Sequence, residues 1–156
     1  MLEHLKAHLT GKVVILGIGN TLRQDDGVGS LLACRIKDKV PYIVYDSGPT
    51  PENYLGKIIK DKPDSIVIID AVDFGGAPGE FREMEGEDLQ TANIFSTHNA
   101  SLTLAINYLK NNLKADIIAL IIQPKRITFN DNLTPELEGA LNKLENWFCE
   151  PAKKEG

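Results

Sequence analysis

The sequence predicts a three-layer α/β/α sandwich on a five-stranded, mostly parallel sheet. Two observations carry this. Four short runs are apolar almost throughout, as strands covered on both faces are: "VVILGI" (13–18), "YIVYD" (42–46), "SIVIID" (65–70) and "DIIALII" (116–122). Between them lie longer segments of helical periodicity, giving the order β-α-β-α-β-β-α-β-α expected of helices packed on both faces of a sheet.

Taken in order, residues 1–12 form a short amphipathic extension with Leu2, Leu5 and Leu9 on one side. His4 and His8 stand at i, i+4, a spacing that can hold a metal but recurs by chance, and they read as a surface face. After the first strand comes a glycine loop. Val28, Leu31, Leu32 and Ile36 then make a helical stripe over about 27–39. Thr50-Pro51-Glu52 opens the next helix, with a threonine cap and proline at the first helical position. "GEFREME" (79–85) alternates and is more polar, which suits an antiparallel edge strand. "STHNASLTLAINYLKN" places Leu102, Ala105, Ile106 and Leu109 on one face, with Ser96 or Thr97 as the cap. Thr134-Pro135-Glu136 opens the last helix, whose Leu137, Leu141, Leu144 and Phe148 face the core. One domain is expected over 13–149, followed by a tail at 150–156.

The 156 residues are enough for one core without staples. A hydrophobic content of 42% and a charged content of 25% are those of a globular protein. The net charge of −5, with no long basic run, argues against nucleic-acid binding. No apolar run approaches the roughly 20 residues that span a bilayer, so no membrane insertion is expected. "MLEHLKAHLTGK" lacks the apolar core of a signal peptide. Cys34 and Cys149 form no CxxC pair, which fits a reducing cytoplasm. With no large surface apolar pattern, a monomer is expected.

In such sheets ligands bind beyond the carboxyl ends of the strands, where strand order reverses. Three features reach that edge: the loop carrying Asp25 and Asp26, Asp70 at the end of the third strand, and His98 at the entrance to the helix near residue 97. "GIGNTL" supplies Gly17 and Gly19 as two glycines of a dinucleotide fingerprint, but Leu22 replaces the third. Asp46 could mimic the ribose-binding acid, yet Asp25 and Asp26 would repel an anionic ligand. One of this pair can serve as an N-cap. The other is then free to face the cleft, since consecutive side chains do not reach back to the same amides.

Asp70 follows four branched aliphatics and needs amides, a cation or a metal as partner. Asp73 is expected to be solvated or to form a turn. His98 falls in a first helical turn, where the positive helix end disfavours imidazolium and keeps the ring neutral. A plain hydrogen bond to a neighbouring loop is the alternative. Together the two carboxylates and the imidazole make an O,O,N set suited to zinc, nickel, cadmium or manganese, with positions left open. There is no HExxH helix and no GxSxG elbow. A Cys34–His98 dyad is weak, because Cys34 lies beside the core stripe, where free cysteine is usually inert.

"GIGNTLRQDDGVG", "IVIIDAVDFGGAPGE", "STHN" and "IIQP" occur here in the order and spacing of the nickel–iron hydrogenase maturation endopeptidases. The chain resembles that family over about residues 13–148, most of all the branch that processes formate-linked, membrane-associated hydrogenases. The resemblance implies a five-stranded mixed sheet with one antiparallel strand. It implies removal of a short C-terminal extension from a hydrogenase large-subunit precursor once nickel is inserted. Asp26, Asp70 and His98 fall on the family's metal-contacting and catalytic positions. Gly17, Gly19, Asn20, Asp25, Gly27, Thr97, Asn99 and Gln123 are expected along the substrate. Nickel would arrive with the substrate, so no permanently bound cofactor is expected, though zinc or cadmium could substitute in vitro. The rival readings are a non-catalytic metal-binding chaperone of hydrogenase maturation and a nucleotide-binding domain.

Overall fold

The most completely buried strands sit at the centre of the sheet. In the computed structural model, which describes residues 1–85, 88 and 99–150 without the side chains of residues 99 and 100, five strands form one sheet. They are β1 (Val13–Gly17), β2 (Ile43–Asp46), β3 (Ser65–Ala71), β4 (Phe81–Glu85) and β5 (Asp116–Ile122), in the order β2-β1-β3-β5-β4. β1 and β3 are buried at every residue, and β5 at all but Asp116. These three make the centre. β4 pairs antiparallel to β5, and the other pairings are parallel.

One strand departs from the expectation of cover on both faces. Among the described residues β2 pairs only with β1, so Ile43 and Tyr45 are half-buried and only Val44 is fully enclosed. Its apolar run reads like a central strand because Tyr45 and Ile43 still pack beneath α3 (Leu55–Asp61). The Tyr45 hydroxyl donates to Asp61 Oδ2 at 2.7 Å.

Two helical layers complete the sandwich. On one face α2 (Val28–Ile36) and α5 (Pro135–Cys149) set Leu32, Ile36, Leu141 and Phe148 against Ile15, Val67, Ile69 and Leu120. On the other, α3 and α4 (Asn99–Asn112) set Ile58, Leu102, Ile106 and Leu109 against Val14, Leu16, Ile66 and Ile68. Each such side chain contributes about 1.5–3 kcal/mol on burial. The two-residue period of β3 sends Val67 and Ile69 to the first layer and Ile66 and Ile68 to the second. Asp70 continues the second series, toward the α4 face.

Helix starts differ in detail from the sequence reading. Thr50 makes no side-chain cap bond; Pro51–Asn53 is a 3-10 turn, and α3 begins only at Leu55. A 3-10 turn at Gln24–Gly27 likewise precedes α2, with Gly27 at the cap position, so neither Asp25 nor Asp26 caps that helix. α2 stops at Ile36 because Lys37 is extended (φ −55°, ψ 134°). The expected caps Ser96 and Thr97 lie outside the described residues.

The N-terminal segment is packed into the domain. In α1 (Glu3–His8) and its flanks, Leu2, Leu5 and Leu9 are buried in the same cluster as α2 and α5. The amides of His4 and Leu5 donate to the Glu83 carboxylate on β4 at 3.1 and 2.5 Å. Among the described residues no helix is long and apolar enough to cross a membrane.

Candidate active site

From β1 the chain crosses to β2 on one side, while β3 lies on the other side of β1. The loops after β1 and β3 therefore part, leaving a crevice at the carboxyl edge. The crevice floor is tightly stitched. Ile18 N donates to Ile69 O at 2.8 Å, Gly19 N to Gly48 O at 3.0 Å, and Ser47 Oγ to Gly17 O at 3.0 Å. Two glycines are required by close approach. A Cβ on Gly29 would run into the carbonyl oxygens of Ile18 and Ile69, so α2 begins directly against the strand ends. A Cβ on Gly19 would lie 2.5 Å from Asp26 O, so the loop folds back on itself there.

The cleft has a volume of about 120 Å³ and is lined by Ile18, Gly19, Asn20, Asp26, Pro49, Asp70 and Ser101. Two residues far apart in sequence, Asp26 and Asp70, thus meet in one small space. Both are buried, 6% and 2% exposed. Asp26 Oδ2 accepts the Asn20 amide at 3.3 Å. The Asp70 carboxyl is held well above the usual carboxylate range, first by burial and then by the charge of Asp26; the Ala71 amide opposes this. Two buried carboxylates in one cleft can share a proton or receive a divalent cation, which relieves both burial and repulsion.

Asp25 has a different place. It is fully buried and turned away from the cleft, accepting Lys125 N at 2.9 Å, Arg126 N at 3.1 Å, Thr134 N at 2.9 Å and Thr134 Oγ1 at 2.8 Å. It ties the cleft loop to the start of α5. Gln123 is also occupied. Its Oε1 accepts the Phe74 and Gly76 amides at 2.9 and 3.1 Å, and its Nε2 donates to Asp73 Oδ1 at 3.0 Å and Pro124 O at 3.2 Å. Gln123 thus orders the 73–76 turn, to which Asp73 itself contributes.

Gly19 and Asn20 line the cleft, while Gly17 and Gly27 stand behind it at the end of β1 and the start of α2. His98 and Thr97 lie outside the described residues, as does the side chain of Asn99. Ser101 and Pro49 line the cleft without having been singled out in the sequence. Ser101 stands three residues beyond His98 in a segment whose sequence reads as helical from about residue 97, and that periodicity is the available signal.

Other candidates resolve differently. Asp46 accepts hydrogen bonds from Ser30 Oγ and from Gly48 N, tying β2 to α2. Cys34 is exposed on the outer side of α2, not beside the core, and does not line the cleft. His8 Nδ1 donates to His4 O at 2.7 Å, and no three described His, Cys, Asp or Glu side chains are grouped to hold a metal. A dinucleotide needs a pocket of at least about 300 Å³. This cleft is smaller and carries the wrong charge for phosphate.

Fold and cleft together define a small α/β protein with two buried carboxylates in a cleft at its switch point. Comparison with known proteins gives the family. A family profile described as HycI, hydrogenase maturation protease, matches residues 27–150. The hydrogenase 3 maturation protease of Escherichia coli K12 is 35% identical over 140 residues, covering 86% of this chain and 89% of that protein. The crystal structure of the NiFe hydrogenase maturation protease HycI from Thermococcus kodakarensis KOD1 superposes with a TM-score of 0.85 at 31% identity, covering 99% of this chain and all of that one. HybD, a NiFe hydrogenase maturation protease of Thermococcus kodakarensis, gives a TM-score of 0.72 at 27% identity over 88% of this chain and 96% of that one. The chain belongs to the hydrogenase maturation protease family and is a peptidase.

Proposed function

We propose that this peptidase removes the C-terminal extension of a nickel–iron hydrogenase large-subunit precursor after nickel insertion. The reading includes recognition of the nickel that the precursor already carries. The observation supporting it most directly is the meeting of Asp26 and Asp70 in one buried cleft, where repulsion and desolvation leave the pair in want of a cation. His98 is the third member of the proposed set and supplies the nitrogen. Three ligands leave room for the thiolates that already hold the ion in the substrate.

Nickel would polarise the scissile carbonyl or merely position the peptide. The chain's own groups do the rest. Asn20 N anchors Asp26 in the cleft, and burial holds Asp70 toward its neutral form. The pair can thereby hold a proton and pass it within the site. Docking of a divalent ion displaces that proton, so binding strengthens as pH rises. Zinc or cadmium would occupy the same ligands in vitro. On this reading the enzyme works as a monomer in the cytoplasm, with no resident cofactor.

The test is incubation of the enzyme with nickel-loaded and nickel-free precursor, followed by intact-mass measurement of the large subunit. Only the nickel-loaded form should be shortened. Asp26→Asn, Asp70→Asn and His98→Ala should each abolish processing with circular dichroism unchanged. Equal cleavage of nickel-free precursor would remove nickel from the reading. Full processing by all three variants would remove the site. Tight binding of nickel or precursor with no cleavage by the unaltered chain would favour the chaperone.

A further inference from the structure

The cleft is small, about 120 Å³, against the length of a polypeptide substrate. Selection of one protein substrate must therefore use the surface around it. Beside the cleft stands a rim made of residues 22–24 and 126–130. Asn130 N donates to Leu22 O at 2.9 Å, Gln24 N to Asn130 O at 2.7 Å, and Asp25 N to Arg126 O at 3.1 Å. The Asp25 carboxylate braces this pairing from below through Lys125 N and Arg126 N. On the cleft side, Leu22 N donates to Oδ1 of Asn20, a cleft residue, at 3.0 Å.

This braced rim presents what a folded surface ordinarily hides. Phe129 is 83% exposed and Leu22 is 55% exposed. The two segments contain Arg23 and Arg126 and no acid, in a chain of net charge −5. Both arginines are exposed, and neither guanidinium donates a hydrogen bond to a described residue; Arg126 bears only through space on Glu136. Apolar and aromatic groups beside arginine, on a rigid support, have the composition of an interface centre.

We propose that Leu22, Arg23, Arg126 and Phe129 form the docking platform for the precursor polypeptide. The platform takes an apolar side chain of the substrate against Phe129 and Leu22 and carboxylates against the two arginines. This rests on the proposed function, since the occupant is the precursor of that reading. Platform contacts persist from bound substrate to transition state, so they lower KM and leave kcat alone.

The experiment measures steady-state processing of nickel-loaded precursor by the unaltered enzyme, Phe129→Ala, the pair Leu22→Ser with Phe129→Ser, and the pair Arg23→Glu with Arg126→Glu. All substitutions are at exposed positions, and thermal melting checks that the fold persists. KM should rise roughly tenfold or more with kcat unchanged, as for loss of an interface anchor. The KM of the unaltered enzyme should rise with salt, and that of the arginine pair should not. Unchanged KM in all variants overturns the proposal. So does a shift in oligomeric state on size exclusion without a change in KM, which would make the platform an interface between copies. If the unaltered enzyme does not cleave, the proposed function fails by itself, and the same variants are read by surface plasmon resonance on immobilised precursor. Weakened binding then sustains the platform; equal binding, or none by the unaltered chain, ends it.

Discussion

At Asp25 four donors converge on one buried carboxylate, whereas Asp26, the next residue, accepts the Asn20 amide and shares its cleft with a second buried acid. Both are aspartates at the same 3-10 turn, and both are buried. The difference is satisfaction. Donors from the segment before α5 saturate Asp25, so its burial stabilises the fold. Among the described residues Asp26 and Asp70 have no such set of donors, and burial together with the Asp26 charge pushes Asp70 toward its neutral form. A buried acid is thus read as structural or functional from the donors around it, not from its burial.

The sharpest way to break this comparison is to truncate each acid. Asp25→Ala should cost about 3–5 kcal/mol, because it strands buried donors and removes a brace between two loops. Urea unfolding measures it, and a loss under about 1 kcal/mol would show that the anchor is dispensable. Asp26→Asn should leave the unfolding midpoint nearly unchanged while abolishing processing.

A smaller effect is expected where the cleft floor is packed. Gly29→Ala should destabilise by about 1–3 kcal/mol through overpacking against Ile18 O and Ile69 O. A neutral result would show that α2 can slide outward.

Asp70→Asn sharpens the other half of the comparison, with the opposite sign. The folded-state pKa of Asp70 is raised, so its charge costs stability, fully so above the folded pKa and not at all below the ordinary value of 3.8. The asparagine variant should therefore melt higher than the unaltered protein at pH 8, by roughly 2–4 °C per kcal/mol recovered. The gain should shrink as pH falls. A lower melting temperature at pH 8 would mean that the carboxylate is held by donors as Asp25 is. Least of all, Cys34→Ser on the outer side of α2 should stay within about 0.5 kcal/mol and leave processing intact.

Much of the architecture was legible because period and punctuation carry it. The five strands lie where the apolar and alternating runs stand, and Pro51 and Pro135 mark the starts of two helical segments. Less legible was the rank of β2, since an edge strand under a helix shows nearly the same composition as a central one. The face of Cys34 is not legible in the sequence, because a nine-residue helix offers little periodicity to separate flank from core. Gln123 stood at the right edge of the sheet, but only the closed 73–76 turn shows that its amide is already committed.

By itself, then, the chain determined the order of elements and placed Asp26 and Asp70 at the carboxyl edge of the sheet, because local apolar periodicity dictates strand and helix. Tertiary structure alone decided which of the adjacent aspartates is anchored, that Ser101 and Pro49 close the cleft, and that Leu22 and Phe129 stand together on a braced rim. Those outcomes depend on donors and neighbours about a hundred positions away, such as Lys125 and Thr134 for Asp25. Hydrogen bonding at such separations is set by how the layers pack, and no local pattern in the chain encodes it.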